Sequence, residues 1–267
     1  MPGNRAAEEG LAGRPGGEPA ELEALRRREK AHTREGDAIA AARRHLSMVE
    51  VDGSIPLIGP DGPVTLLDVF DGRRQLIAYY FMWYTGRPAA DQCEGCTIYT
   101  DQVRQLAYLH SRDVTFAVLC QGPFEESTRY REFMGWEMPW YSAQSALHAL
   151  LAGRQVGHFY LVCYVRNDDR VFETYWTTGR GVEVMGNSYP LLDLTAYGRQ
   201  ETWEDSLAGW PQPWGGCQPT GSVPCQRASD LSVVPAGCRP LRRPRRAPVA
   251  KRIDTSRVTE AADCAWP

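Results

Sequence analysis

An unbroken apolar stretch from Leu76 to Tyr84 constrains this chain more than any other feature of its sequence. Apolar or aromatic residues fill nearly all of its positions, whereas a strand with one face in water would alternate them with polar residues. The stretch therefore predicts a central strand covered on both faces, as in a parallel or mixed sheet flanked by helices. A second such run, Asp113 to Cys120, predicts another buried strand.

The segments around these two strands predict how they are connected. Apolar residues recur at helical spacing from Thr97 to His110, so strand, helix and strand form a βαβ unit with parallel strands. Further along, two runs rich in β-branched and aromatic residues, His158 to Val165 and Arg170 to Trp176, are separated by a short polar turn. These runs predict an antiparallel hairpin.

Composition divides the 267 residues into one domain with two tails. We expect disorder over residues 1–19 and over residues 211–267, a Pro- and Arg-rich tail, because neither segment shows a hydrophobic period. Residues 48–210 are the predicted folded domain. Residues 20–47 are rich in helix formers and predict either two helices separated near Gly36 or one long helix packed across the domain. Their Arg-rich face is typical of a solvated surface.

Charge and hydropathy indicate a cytoplasmic protein. The formal net charge is -3, so the overall balance favours neither nucleic acid nor an anionic membrane as a partner. No apolar run approaches the ~20 residues that a membrane helix needs, and no signal-peptide pattern opens the chain. We therefore expect most of the eight cysteines to be thiols.

Two of those cysteines, Cys93 and Cys96, stand three apart where the first strand passes into the helix. A helix N-terminus carries unsatisfied N–H groups and a partial positive charge, which stabilise a thiolate. The predicted catalytic pair is Cys93 as the attacking thiol and Cys96 as the resolving thiol. The carboxylates of Asp91 and Glu94 oppose that thiolate, and Arg87 would compensate if the loop folds back.

Two other uses of the pair stay open. The cysteines could be structural residues at a helix start, or they could bind zinc, which requires two further ligands. Cys217 and Cys225 have the wrong spacing for that role, so we predict no metal and no bound cofactor. Nucleotide-binding glycine loops and the GxSxG motif of serine hydrolases are absent from the sequence.

Several motifs together resemble the bacterial DUF899 family, over about residues 20 to 210. They are Met48-Val-Glu-Val-Asp, Gly59-Pro-Asp-Gly-Pro-Val-Thr-Leu-Leu-Asp-Val-Phe, Gly72-Arg-Arg-Gln-Leu-Ile, the Cys93/Cys96 pair, Met134-Gly-Trp-Glu-Met-Pro-Trp and Tyr189 to Arg199. The resemblance implies an α/β, thioredoxin-like fold: a central mixed sheet flanked by helices, with an N-terminal helical extension. It also implies redox chemistry related in outline to that of peroxiredoxins, with no known substrate.

The sequence departs from redox-active thioredoxin-like proteins at two places. Those proteins carry a cis-proline before the strand that faces the cysteine pair, but Gln155-Val156-Gly157 stands there, and Pro139 is the other candidate. A peroxiredoxin-type peroxidatic site carries Thr or Ser three residues before its cysteine, and Ala90 occupies that position here. We therefore expect thiol-disulfide oxidoreduction of a protein or small-molecule disulfide. The alternative is a non-catalytic binding module with structural cysteines.

Overall fold

An eight-stranded mixed sheet organises residues 19–213, the part of the chain that the computed structural model describes. The strands are β1 (Val49–Val51), β2 (Pro56–Gly59), β3 (Gly62–Thr65), β4 (Gln75–Phe81), β5 (Val114–Cys120), β6 (Trp140–Ser142), β7 (Tyr160–Asn167) and β8 (Arg170–Thr177). Their order across the sheet is β1-β8-β7-β4-β5-β6-β2-β3. The α-helices are α1 (Pro19–Arg43), α2 (Glu94–Asp101), α3 (Ala107–His110), α4 (Phe124–Met134), α5 (Leu147–Leu151) and α6 (Ser188–Asp193).

Strand β4 lies at the centre of the sheet and is buried on both faces, as its apolar run predicts. Leu76, Ala78 and Tyr80 pack into one core cluster, while Tyr79 and Phe81 pack into a second cluster. Because successive side chains of a strand point to opposite faces, these two clusters lie on the two sides of the sheet. All five side chains are fully inaccessible to solvent.

Four neighbouring strands, β5, β4, β7 and β8, have the thioredoxin-like arrangement. β4 pairs with β5 in parallel, and helices α2 and α3 connect them. On its other side β4 pairs antiparallel with β7, which continues through a tight turn into β8. In the order β5-β4-β7-β8, the β5–β4 pair is parallel and the other two neighbouring pairs are antiparallel. This is a βαβ unit followed by a hairpin. This arrangement confirms the predicted fold class.

The helix that follows the cysteine pair is shorter than predicted. It ends at Asp101, and a separate short helix, α3, precedes β5. Two side-chain contacts act at the break: the Arg104 Nε–H donates to the Asp101 carbonyl at 3.0 Å, and the Gln102 amide oxygen accepts the Ser188 N–H at 2.7 Å. The Asp101 carbonyl is therefore satisfied by a side chain and not by the backbone N–H of a continuing helix, and the Gln102 side chain ties the end of α2 to the start of α6.

The N-terminal helix α1 is continuous through Gly36, and none of its residues is buried. It contacts the sheet through the Arg43 guanidinium, which stacks 4.9 Å from the centre of the Tyr175 ring on β8. Of the two predicted alternatives, two helices separated near Gly36 or one long helix, the structure has the single long helix, and none of its residues is buried against the domain. The tail predictions, 1–19 and 211–267, lie outside the described residues except at their innermost positions, and the domain boundaries remain predictions.

Candidate active site

The loop between β4 and α2 is fixed by two side chains. Glu126 of α4 accepts hydrogen bonds from the Trp83 indole N–H at 3.0 Å and from the Gly86 backbone N–H at 2.9 Å, both at Oε1. Within the loop, the buried Gln92 amide accepts the Tyr84 N–H and donates to the carbonyls of Tyr84 and Arg87, all at 2.9–3.1 Å. These bonds hold the chain in one conformation up to the residue before Cys93.

Gly122 makes room for this loop. A Cβ atom at that position would lie 2.0 Å from Trp83 Cδ1, closer than any two such atoms can approach. Displacing Trp83 would disturb two further contacts, because its ring packs 5.6 Å from the ring of Tyr130 and its indole N–H is bonded to Glu126. The glycine is thus required where α4 begins, beside the loop that precedes Cys93.

Replacing Gly122 with alanine should therefore displace Trp83 and lower the free energy of unfolding by about 1–3 kcal/mol, the usual cost of overpacking. Urea denaturation measures the change. The same substitution at Gly36, where no heavy atom lies within 4 Å of the new Cβ, serves as the control and should leave the midpoint unchanged or slightly raised. A Gly122 variant as stable as the wild type would contradict the packing described here.

Cys93 and Cys96 are brought together at the start of α2, as predicted. Cys93 is the N-cap residue, with extended backbone angles, and its Sγ accepts the Cys96 backbone N–H at 3.4 Å. Cys93 is half-buried, whereas Cys96 is fully buried in the cluster that contains Tyr79 and Phe81. A capping sulfur receives the N–H dipoles of the first helical turn, which favour its ionised form.

Polar groups and a second sulfur surround Cys93. The Met82 Sδ lies 4.0 Å from the Cys93 Sγ. Thr97 Oγ1 donates to the Cys93 carbonyl at 2.9 Å and therefore accepts the Tyr130 hydroxyl, also at 2.9 Å. Burial raises the pKa of Tyr130, and the Thr97 contact partly offsets that rise. The phenol is consequently a donor beside the cysteine pair.

The Cys96 thiol is held in its neutral form by its surroundings. Burial is the largest cause and raises its pKa well above the ordinary value, and the neighbouring Cys93 sulfur raises it further. Two hydrogen-bond donors act in the other direction, the Tyr79 hydroxyl and the Met82 backbone N–H. The pair thus combines a half-exposed sulfur at a helix end with a buried one that ionises reluctantly.

The charged residues predicted to influence the pair lie in solvent. Asp91 and Glu94 are both exposed, so water and ions screen their opposition to a thiolate at Cys93. The Arg87 guanidinium stacks 5.1 Å from the centre of the Tyr84 ring. Through this contact the Arg87 side chain packs within its own loop.

The Gln121 side chain, and not a cis-proline, fixes the backbone just before β7. This buried side chain accepts the Gly157 N–H at 2.9 Å and donates to the His158 carbonyl at 2.7 Å. Pro139 has a different role, because its carbonyl accepts the Val118 N–H where β6 joins β5. No peptide bond within residues 19–213 is cis. Sequence reasoning missed Gln121, and the available signal was a polar residue directly after a buried strand.

The described residues, 19–213, offer neither a metal site nor a membrane-spanning helix. No group of three or more His, Cys, Asp or Glu side chains in this region is placed to hold a metal ion. Cys217 and Cys225 lie outside the described residues. None of the described helices is both long and apolar enough to cross a membrane.

Comparison with solved structures finds partial likenesses at low identity. Peroxiredoxin Q of Xanthomonas campestris is 12% identical, with a TM-score of 0.36 over 51% of this chain and 90% of its own. DsbE of Chlorobium tepidum, described as a thiol:disulfide interchange protein, is 12% identical, with a TM-score of 0.37 over 52% and 93%. Peroxidoxin BcpB of Mycobacterium tuberculosis is 15% identical, with a TM-score of 0.34 over 49% and 86%. The thioredoxin-like fold is assigned from the strand order of the sheet.

Comparison with sequence families identifies the family of this chain. No curated protein matches the chain. One family model, described as "Bacterial protein of unknown function (DUF899)", matches residues 19–215, which include the whole sheet and the cysteine pair. The resemblance found in the sequence motifs is thereby confirmed, and the chain belongs to the DUF899 family.

Proposed function

We propose that this protein exchanges thiols and disulfides through Cys93 and Cys96, acting on a protein or small-molecule disulfide. The observation that carries the proposal is the contact at the start of α2. There the half-exposed Cys93 sulfur caps the helix and accepts the Cys96 N–H at 3.4 Å, with the buried Cys96 one turn along. A capped thiolate next to a second thiol is the arrangement that disulfide exchange requires.

The reaction takes two exchange steps. The Cys93 thiolate attacks one sulfur of the substrate disulfide, which forms a mixed disulfide and releases the other half of the substrate as a thiolate that takes up a proton. Cys96 then loses its proton and attacks the Cys93 sulfur, so the bond to the remaining substrate half breaks and a second substrate thiol is released. The cysteine pair ends oxidised by two electrons and the substrate reduced by two, and an external dithiol restores the pair.

The proposal is tested by equilibrating the full-length protein in glutathione buffers of increasing oxidising strength. Mass spectrometry of the peptide that carries both cysteines should show one reversible, two-electron transition between dithiol and disulfide. The transition should be unchanged in a Cys163→Ser variant, which removes the half-buried cysteine of β7. Cysteines that stay reduced throughout, or that acquire glutathione without joining each other, would overturn the proposal.

The second candidate is the non-catalytic binding module, and the exposure of α1 favours it. No residue of this 25-residue helix is buried, and its Leu22, Leu25 and Ile39 side chains remain 42–47% exposed. Apolar side chains left open on a helix mark a surface that a partner could cover. The same glutathione titration separates the two candidates, because a binding module would keep both cysteines reduced.

A further inference from the structure

The hydroxyl of Tyr79 is the least explained polar group near the cysteine pair. Tyr79 lies on β4 and is fully buried, and its hydroxyl forms no hydrogen bond with any of the described residues. The next residue, Tyr80, points to the opposite face, where its hydroxyl is 2.7 Å from that of Tyr164. A buried hydroxyl without a partner costs about 1–3 kcal/mol, so its presence calls for an explanation.

The group that faces this hydroxyl is the Cys96 thiol. The two side chains share one core cluster and are near enough that the Tyr79 hydroxyl lowers the pKa of the Cys96 thiol, while Cys96 raises the pKa of Tyr79. The Met82 backbone N–H also lowers the pKa of that thiol. A neutral thiol is a weak acceptor, whereas a thiolate is a strong one. A buried hydroxyl that has no other partner in the cluster around Cys96 therefore suits the charged form of Cys96 better than the neutral form.

We propose that the Tyr79 hydroxyl donates a hydrogen bond to the Cys96 thiolate and stabilises it while it attacks the mixed disulfide on Cys93. This inference rests on the proposed function and assigns a residue to its second step. In that step a bond forms between the Cys96 and Cys93 sulfurs, and the bond from Cys93 to the substrate breaks. The departing substrate thiolate ends with the proton that Cys96 gave up.

Tyr79 acts here as a donor and keeps its own proton. Burial raises its pKa well above the ordinary value, and the neighbouring Cys96, Cys93 and Tyr99 raise it further. A phenol in such surroundings does not ionise near neutral pH, so it cannot serve as the base that deprotonates Cys96. Its contribution is confined to the stability of the thiolate once formed.

The test is a Tyr79→Phe variant of the full-length protein mixed with the aryl disulfide dithionitrobenzoate. Samples are quenched with acid, and mass spectrometry follows the peptide that carries both cysteines. Aryl adduct at Cys93 reports the first step, and its conversion to the internal disulfide reports the second. Losing one hydrogen bond should cut the Cys96 thiolate fraction about tenfold. The thiolate of a less acidic thiol is more nucleophilic, which raises the rate per thiolate about threefold. The second step should therefore be about threefold slower overall.

The pH dependence distinguishes this role from a purely structural one. The second step of Tyr79→Phe should follow a profile displaced by about one unit to higher pH, and the first step should be unchanged. Tyr80→Phe is the matched control: it removes a buried hydroxyl from the same strand but on the opposite face. Its second step should overlay that of the wild type.

The outcomes separate this inference from the function on which it depends. If no aryl adduct forms at Cys93 in the wild type, the proposed function fails. If the adduct forms and resolves at the wild-type rate and pH in Tyr79→Phe, the role of Tyr79 is refuted while the function stands. Equal slowing in Tyr79→Phe and Tyr80→Phe would also refute it, because the effect would then come from core packing.

Discussion

Replacing Cys93 with serine is expected to abolish disulfide reduction, lowering the turnover of insulin disulfides with dithiothreitol as donor by about two orders of magnitude or more. A serine hydroxyl does not ionise near neutral pH and cannot form the mixed disulfide. Serine is at the same time a preferred N-cap residue, so α2 should begin as it does in the wild type. The loss would therefore reflect chemistry and leave the fold intact.

Two further variants make this result specific. Cys96→Ser should retain the first attack and accumulate the mixed disulfide on Cys93, because the resolving thiol is gone. Cys163→Ser, in β7, should keep full turnover. Turnover that survives in Cys93→Ser would refute thiol-disulfide exchange at this site.

The largest expected effect on stability comes from Arg154, which pairs with Glu173 on β8. Its guanidinium donates two hydrogen bonds to that carboxylate at 2.6 and 2.8 Å, and the two side chains are only 10% and 14% exposed. The same guanidinium donates to the carbonyls of Leu150 and Leu151 at the end of α5. Removing it leaves a nearly buried carboxylate without its partner and takes the side-chain donor from the Leu150 carbonyl, whereas the Leu151 carbonyl keeps the Arg154 backbone N–H at 2.9 Å.

Arg154→Ala should accordingly lower the free energy of unfolding by about 3–5 kcal/mol, measured by urea denaturation. The chain offers a matched control in Arg170, which also binds a carboxylate, that of Glu50, through two hydrogen bonds of 2.7 and 2.8 Å. Both of those partners are more than half exposed, so Arg170→Ala should have little effect. Equal losses in the two variants would show that burial does not set the strength of the Arg154 pair.

The sequence predicts the centre of the sheet well because its signals there are local. The uninterrupted apolar runs of β4 and β5 can form only buried strands, and the polar turn at Asp168 marks the β7–β8 hairpin. The early end of α2 was not predictable, since it depends on Arg104 and on Gln102, whose partner Ser188 lies 86 residues further along the chain.

The candidate site divides in the same way. The positions of Cys93 and Cys96 follow from their spacing at a strand-to-helix junction, which is visible in the sequence. The groups that hold the site are remote in sequence: Glu126 binds a loop 40 residues before it, and Gln121 binds a turn 36 residues after it. Tyr79 was assigned to the core from its apolar neighbours, and only its facing partner indicates a further role.

The strand order has a geometric consequence for access to the cysteines. β1 and β2 lie six strand positions apart, which in a flat sheet would separate them by about 29 Å. The chain from Val51 to Pro56 can span only about 17 Å, so the sheet must curl until its two ends approach each other. Ile55, Leu57 and Val171, which come from both ends, share the cluster on the inner side. Cys96 belongs to the other cluster, so the cysteine pair lies on the convex side, and the curled sheet forms no wall opposite it.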